Sequence, residues 1–164
     1  MRLFAAVRLS EEVRDALVKT RDELLRQGVR GRCPPPENLH ITLVFIGELQ
    51  DPEPVLDMTD AISFQPFPIT LGEAGIFGGG ILWAGIRPSD PLEHLVKRLR
   101  RGLAEAGIPY DRKAFRPHIT LMRNMDPGKG LPEIRLPGST MTVDRVTLYR
   151  SDRGKNGMIY TEIG

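Results

Sequence analysis

The feature that most restricts the fold of this chain is that part of it is written twice. His40-Ile41-Thr42-Leu43 recurs as His118-Ile119-Thr120-Leu121, a shift of 78 residues. The same shift sets Leu17-Val18-Lys19 on Leu95-Val96-Lys97 and Phe4-Ala5-Ala6 near Leu82-Trp83-Ala84. Agreement at three places along one offset points to duplication of a supersecondary unit, so whatever the first half builds, the second half builds again. The expected repeat units run from about 1 to 78 and from about 79 to 164, as two related lobes of a single domain.

Local signals give the order of elements within each unit. Leu3 to Leu9 reads as a strand, and Ser10 followed by Glu11-Glu12 is an N-cap signal for a helix running to about Gln27, stopped by Gly28. Val13, Leu17, Leu24 and Leu25 keep helical spacing and form one apolar face. Leu39 to Ile46 has the β-branched and aromatic content of a strand and is closed by Gly47. The second unit repeats the series: strand Ile81 to Ile86, helix about Pro91 to Ala106 capped by Ser89 or Asp90, strand Pro117 to Arg123. Further strand-like stretches are Ile69 to Phe77 and Met141 to Arg150, with turns at Gly78-Gly79-Gly80 and 126–130. The expected fold class is α+β: two pseudo-symmetric lobes with antiparallel sheets lining a central cleft and helices outside.

Both repeated motifs therefore fall on strands, where side chains alternate faces. His40 and Thr42 point one way while Ile41 and Leu43 point to the core, and His118 and Thr120 do the same. Each motif offers an imidazole and a hydroxyl about 7 Å apart along one surface, at roughly 3.3 Å of rise per residue. An imidazole titrates near neutrality and moves protons in either direction. A hydroxyl suits a non-bridging phosphate oxygen and the charge that builds on it. Two facing motifs supply an acceptor, a donor and two anchors, which is what breaking a phosphodiester without a metal requires. His94, mid-helix near Glu93 and Lys97, reads as a solvated residue.

Competing chemistries lack their residues. There is no His-x-His, His-Asp pair or Cys-x-x-Cys to complete a coordination sphere, no Gly-Lys-Ser/Thr phosphate loop, and no dinucleotide fingerprint around the triple glycine. No metal or other cofactor is expected. Cys33 is the single cysteine of 164 residues and reads as a small side chain in a loop. The longest apolar run, Leu39 to Gly47, is too short to cross a bilayer, and Met1-Arg2 opens directly into a strand, so no membrane partner and a cytoplasmic location are expected. The net charge of +2 does not demand a nucleic-acid partner, but the 18 Arg against 5 Lys are notable. The guanidinium fork suits phosphate, although base composition or a hot habitat produces the same bias.

With Arg2-Leu3-Phe4, Pro36-Glu37-Asn38-Leu39-His40-Ile41-Thr42-Leu43, Phe45-Ile46-Gly47, Phe115-Arg116-Pro117-His118-Ile119-Thr120-Leu121, Arg123 and the closing Leu148-Tyr149-Arg150-Ser151, Gly157 and Tyr160 in view, the chain resembles the two-histidine phosphoesterases. Within them it is most similar to the LigT-like RNA 2',3'-cyclic phosphodiesterases, also called 2'-5' RNA ligases. The resemblance implies opening of an RNA 2',3'-cyclic phosphate end to a 2'-phosphate, and in some members reversible joining of RNA ends through a 2'-5' linkage. It implies His118 as general base, His40 as general acid, Thr42 and Thr120 as phosphate anchors, and RNA or nucleotides with cyclic phosphate ends as partners of a monomer. Arg123, two residues beyond Leu121 on the strand alternation, is a further substrate-binding candidate or an ordinary surface arginine. The family often carries an aromatic residue near position 33, where this chain has Cys33, which leaves base stacking there in doubt. Arg30, Arg32, Arg112 and Arg116, in loops leading to the motifs, either steer RNA or are ordinary loop charges. A catalytically idle RNA-end binding module on the same fold, and a metal-dependent phosphohydrolase, are the competing readings.

Overall fold

The computed structural model describes residues 1–128, 130 and 132–164; Lys129, inside the turn expected at 126–130, lies outside them. In chain order the elements are β1 (Arg2–Arg8), α1 (Glu11–Arg26), β2 (Arg30–Arg32), a short 3-10 turn (Pro36–Asn38), β3 (His40–Glu48), α2 (Glu53–Ala61), β4 (Phe67–Phe77), β5 (Ile81–Ile86), α3 (Asp90–Glu105), β6 (His118–Asp126), β7 (Thr140–Val143), β8 (Thr147–Gly154) and β9 (Gly157–Glu162). The strands form two antiparallel sheets, ordered β3-β1-β8-β9 and β2-β6-β5-β4-β7. The fold class is α+β, as expected.

The helices start where the sequence provides acceptors for their free N–H groups. Ser10 Oγ accepts from Val13 N at 3.2 Å and Ser89 Oγ accepts from Leu92 N at 3.3 Å, each with acidic residues in the first turn. Past each helix, Gly28 and Gly107 take positive φ, +100° and +72°, which costs a glycine nothing. On α1 the buried face is Val13, Leu17, Arg21 and Leu24. Leu25 is only partly buried, and an arginine stands in the apolar stripe. On α3 the buried face is Leu92, Leu95, Val96, Leu99 and Leu103. These faces and the inner sides of both sheets form one hydrophobic cluster, in which a fully buried leucine contributes roughly 1.5–3 kcal/mol.

The duplication is visible in three dimensions, with its registers differing by one residue from element to element. β3 and β6 correspond at a shift of 78, since they span His40–Glu48 and His118–Asp126. The helix caps Ser10 and Ser89 are related by 79. The first strands are related by 77, because Ala6 pairs with Thr42 while Trp83 pairs with Thr120. The sequence match of Leu17-Val18-Lys19 with Leu95-Val96-Lys97 is therefore one residue out of structural equivalence.

Each repeat also gives its last long strand to the other sheet. β8, the counterpart of β4, pairs with β1, and β4 pairs with β5. The stretch Met141 to Arg150, expected as one strand, is two: β7 pairs with β4 in one sheet and β8 with β1 in the other, with the chain crossing between sheets at residues 144–146. Among the described residues no helix is long and apolar enough to cross a membrane.

Candidate functional site

β3 and β6, the two motif strands, lie next to each other where the sheets meet. The burial of both strands follows the same unusual pattern. Ile41, Leu43 and Val44 are buried on β3, and Ile119, Leu121 and Met122 on β6, so two adjacent residues face the core at the same step of each. The ladders explain this. Ala5 pairs with Val44 and Ala6 with Thr42, leaving Leu43 unpaired; Leu82 pairs with Met122 and Trp83 with Thr120, leaving Leu121 unpaired. A β-bulge of this kind reverses the alternation beyond it. Strict alternation would send Arg123 to the core with Ile119 and Leu121. The bulge turns it instead to the side of His118 and Thr120, and turns Phe45 to the side of His40 and Thr42.

All five candidate residues line one cleft of about 300 Å³: His40, Thr42, His118, Thr120 and Arg123. Arg2, Phe4, Phe45 and Tyr160 complete much of its wall. Each histidine is held by the backbone two residues before it. His40 Nδ1 lies 2.6 Å from the Asn38 carbonyl, and His118 Nδ1 lies 2.6 Å from the Arg116 carbonyl. A carbonyl only accepts, so both Nδ1 atoms carry the proton and donate it, which leaves both Nε2 atoms unprotonated in the neutral rings. Asn38 is itself tied down, its Nδ2 donating to the Met158 carbonyl at 2.9 Å. His40 Nε2 accepts from Thr42 Oγ1 at 2.8 Å. The two groups, expected about 7 Å apart from strand rise alone, thus lean together across the pleat.

Aromatic rings fix the imidazole planes. Tyr160 meets His40 edge-on, with centroids 5.3 Å apart at 87°, and Phe77 meets His118 at 5.1 Å and 86°. Phe4 covers another side of His40 at 5.0 Å. Burial in this setting pushes the His40 pKa below its ordinary value. The hydrogen bond to the Asn38 carbonyl works the other way, and the positive charges of His118 and Arg123 add to the lowering. In the free protein His40 is biased toward neutrality.

An arginine ties down each motif's approach loop, in duplicate, Arg21 being buried and Arg100 half-buried. Arg21 of α1 donates to the Pro34 carbonyl at 2.7 Å, and Arg100 of α3 donates to the Lys113 carbonyl at 2.7 Å. Both pairs are related by the shift of 79 found for the helices, and Arg21 also reaches the Leu121 carbonyl on the bulge at 3.4 Å. Helical periodicity alone read this part of α1 as plain core, because an arginine in an apolar stripe carries no signal of what it ties together. Phe4 and Phe77 likewise carry no sequence signal beyond that of strand residues.

The remaining arginines divide. Arg30 is spent on the Leu25 and Val29 carbonyls at the end of α1, and Arg112 stacks over Tyr110 at 5.6 Å. Arg116 lines a separate hollow behind His118, and Arg32 lines one that adjoins the cleft. His94 is exposed on α3. Burial raises the Cys33 thiol pKa, which disfavours the thiolate. Among the described residues no group of three or more His, Cys, Asp or Glu is placed to hold a metal ion.

An α+β fold of two antiparallel sheets, with two His-x-Thr strands lining one small cleft, defines the class. The chain belongs to the 2'-5' RNA ligase superfamily, whose family description matches residues 25–155. It is 36% identical over 179 residues to a Thermus thermophilus protein named RNA 2',3'-cyclic phosphodiesterase, covering 98% of this chain and 87% of that one. A protein of the same name from Thermotoga maritima is 30% identical over 173 residues, covering 98% and 91%. Among solved structures, Escherichia coli LigT in apo form superposes with a TM-score of 0.86 at 29% identity, covering 99% of this chain and 94% of that one. The same E. coli protein has been crystallised in complex with 3'-AMP.

Proposed function

We propose that this protein hydrolyses RNA 2',3'-cyclic phosphate ends to 2'-phosphates, with His40 and His118 as its acid-base pair and no metal in the reaction. The observation that carries this reading is the matched tautomer lock: both Nδ1–H groups are used on backbone carbonyls, and both histidines line one cleft together with Thr42, which is hydrogen-bonded to His40 Nε2, and Thr120. The names of the related proteins and the 3'-AMP complex of E. coli LigT support the same substrate chemistry.

The step balances with these groups alone. Water attacks phosphorus in line with the bond to O3', and its proton passes to His118 Nε2. The P–O3' bond breaks, and His40 Nε2–H protonates the departing O3', giving a 2'-phosphate and a free 3'-hydroxyl. Thr42 and Thr120 donate to the non-bridging oxygens, and Arg123 offsets the charge that grows there. His40 is biased toward neutrality in the free protein. The cyclic phosphodiester anion reverses that bias on binding, because an adjacent negative charge favours imidazolium. The acid is thus armed by its own substrate. Thr42, which donates to His40 in the free protein, is released to the phosphate when His40 takes up its proton.

On the same proposal the enzyme acts as a cytoplasmic monomer, and reverse reaction with a 5'-hydroxyl end would give the 2'-5' linkage. The test is incubation of purified protein with a short RNA ending in a 2',3'-cyclic phosphate, with the product followed by phosphorus NMR. Accumulation of a 2'-phosphate supports the reading. A 3'-phosphate product, or tight binding without turnover, overturns it, the latter in favour of an idle RNA-end binding module.

A further inference from the structure

The cleft does not stop at Tyr160. Past Pro34, Asn38 and Met158 it opens into a second hollow of about 480 Å³, and the two share Arg123 and Tyr160 as well, so they form one continuous groove. The outer part is lined by Arg32, Arg123, Arg153 and Lys155, and no aspartate or glutamate lines either part.

Two of these arginines are placed at a cost. Arg32 and Arg123 are directly opposite each other in the β2–β6 ladder. Like charges at opposed positions are destabilising, and the two side chains share a face of the sheet. β2 is only three residues long and wholly exposed, so little packing offsets the repulsion. Six arginines outside the groove, Arg8, Arg14, Arg26, Arg135, Arg145 and Arg150, each reach a carboxylate within 3.5 Å. Among the described residues none of the four groove cations has such a partner. Arg153 and Lys155 face this pair from the β8–β9 hairpin, whose arm runs about 10 Å from Tyr160, beside His40, to its turn at Gly157.

We infer that this groove is a second phosphate subsite, and that it takes the backbone phosphate on the 5' side of the cyclic end. The inference rests on the proposed function, since it assumes a cyclic phosphate between the histidines. A 2',3'-cyclic phosphate closes the 3' terminus of a strand, so the rest of the strand leaves that nucleotide through its 5' oxygen. The next anion along it is one phosphodiester away, and Arg123, which lines both parts, stands between the two. An anion here would turn the repulsion across β2 and β6 into two charge-assisted contacts. Contacts of this kind select backbone and not base, so the groove distinguishes polynucleotide ends from mononucleotides while accepting many sequences.

The test compares kcat/KM for 2',3'-cyclic AMP, a cyclic-ended dinucleotide and a cyclic-ended octamer at several salt concentrations. The dinucleotide should exceed the mononucleotide by roughly tenfold or more, and each phosphate engaged should steepen the log-log salt dependence by about 0.7. In R153E/K155E, both changes in an exposed hairpin, the ratio of dinucleotide to mononucleotide should collapse, and R32Q should reduce it in part. Equal kcat/KM for mononucleotide and dinucleotide in the wild type, or a ratio unmoved by both variants, would overturn the subsite. If the wild type cleaves none of the substrates, the proposed function fails on its own. The groove is then judged by fluorescence anisotropy, where R153E/K155E weakening oligonucleotide binding supports it and unchanged binding refutes it.

Discussion

Arg123 reaches the cleft only because of the bulge at Leu121, and it acts there in two ways that one substitution separates. R123Q removes a fork that would hold a phosphate oxygen and also removes one of the positive charges that lower the His40 pKa. A hydrogen bond to a charged partner contributes about 1.5–3 kcal/mol, so kcat/KM for a cyclic-ended RNA should fall about 10- to 100-fold. The sign of the second effect is opposite. With a repelling charge gone, protonated His40 is less disfavoured and its pKa must rise. R123K keeps the charge but not the bidentate fork, so it should lose less activity and leave the His40 titration nearly where it stands. The assay is steady-state kinetics beside an NMR titration of the His40 imidazole in wild type, R123Q and R123K. A His40 pKa that stays put or falls in R123Q, or a kcat/KM equal to that of the wild type, would refute the placement of this arginine.

Thr42→Val and Thr120→Val each delete one hydroxyl at nearly constant volume and should each lower kcat by about tenfold, less than loss of a histidine; unchanged kcat in both would remove the hydroxyls from the phosphate site. Stability should also respond to His40. Its folded-state pKa lies below the unfolded value of 6.5, so its contribution is complete above about pH 6.5 and is lost as pH falls through the lowered value. Urea midpoints measured between about pH 7.5 and 5 should therefore fall less steeply in His40→Asn than in the wild type, and parallel curves would contradict the burial argument. Exhaustive chelation should leave turnover of cyclic-ended RNA unchanged, whereas loss restored by zinc or manganese would show a metal in the reaction.

The motif strands were legible because duplication and period-2 alternation act over a few residues, and both put His40, Thr42, His118 and Thr120 on one side. Helix α1 announced itself through Ser10, Glu11-Glu12 and Gly28 for the same local reason. What the sequence hid depends on pairing between distant segments. The exchange of β4 and β8 between sheets and the split at residues 144–146 are decided by which strand each stretch meets, and one β-rich run reads alike in either case. Arg123 was named as a site residue although strict alternation points it inward, and only the unpaired Leu121 reconciles the two. α2 and β9 lack strong sequence signals, the first because its nine residues give only about two and a half helical turns, the second because its apolar run, Met158-Ile159-Tyr160, is too short to show an alternation. Arg21 and Arg100 carry no sequence signal of their partners, yet they form the same strap to the loop before each motif.

The central claim is that two imidazoles divide one proton exchange between them, and the direct measurement is turnover of a 2',3'-cyclic-ended RNA by His40→Ala and His118→Ala. General acid-base assistance contributes about 10²- to 10⁴-fold per group, so each variant should lose activity on that scale while circular dichroism shows it folded. The double variant should be little worse than the poorer single one, because either loss already breaks the relay. Near-wild-type turnover by either folded single variant would contradict the account.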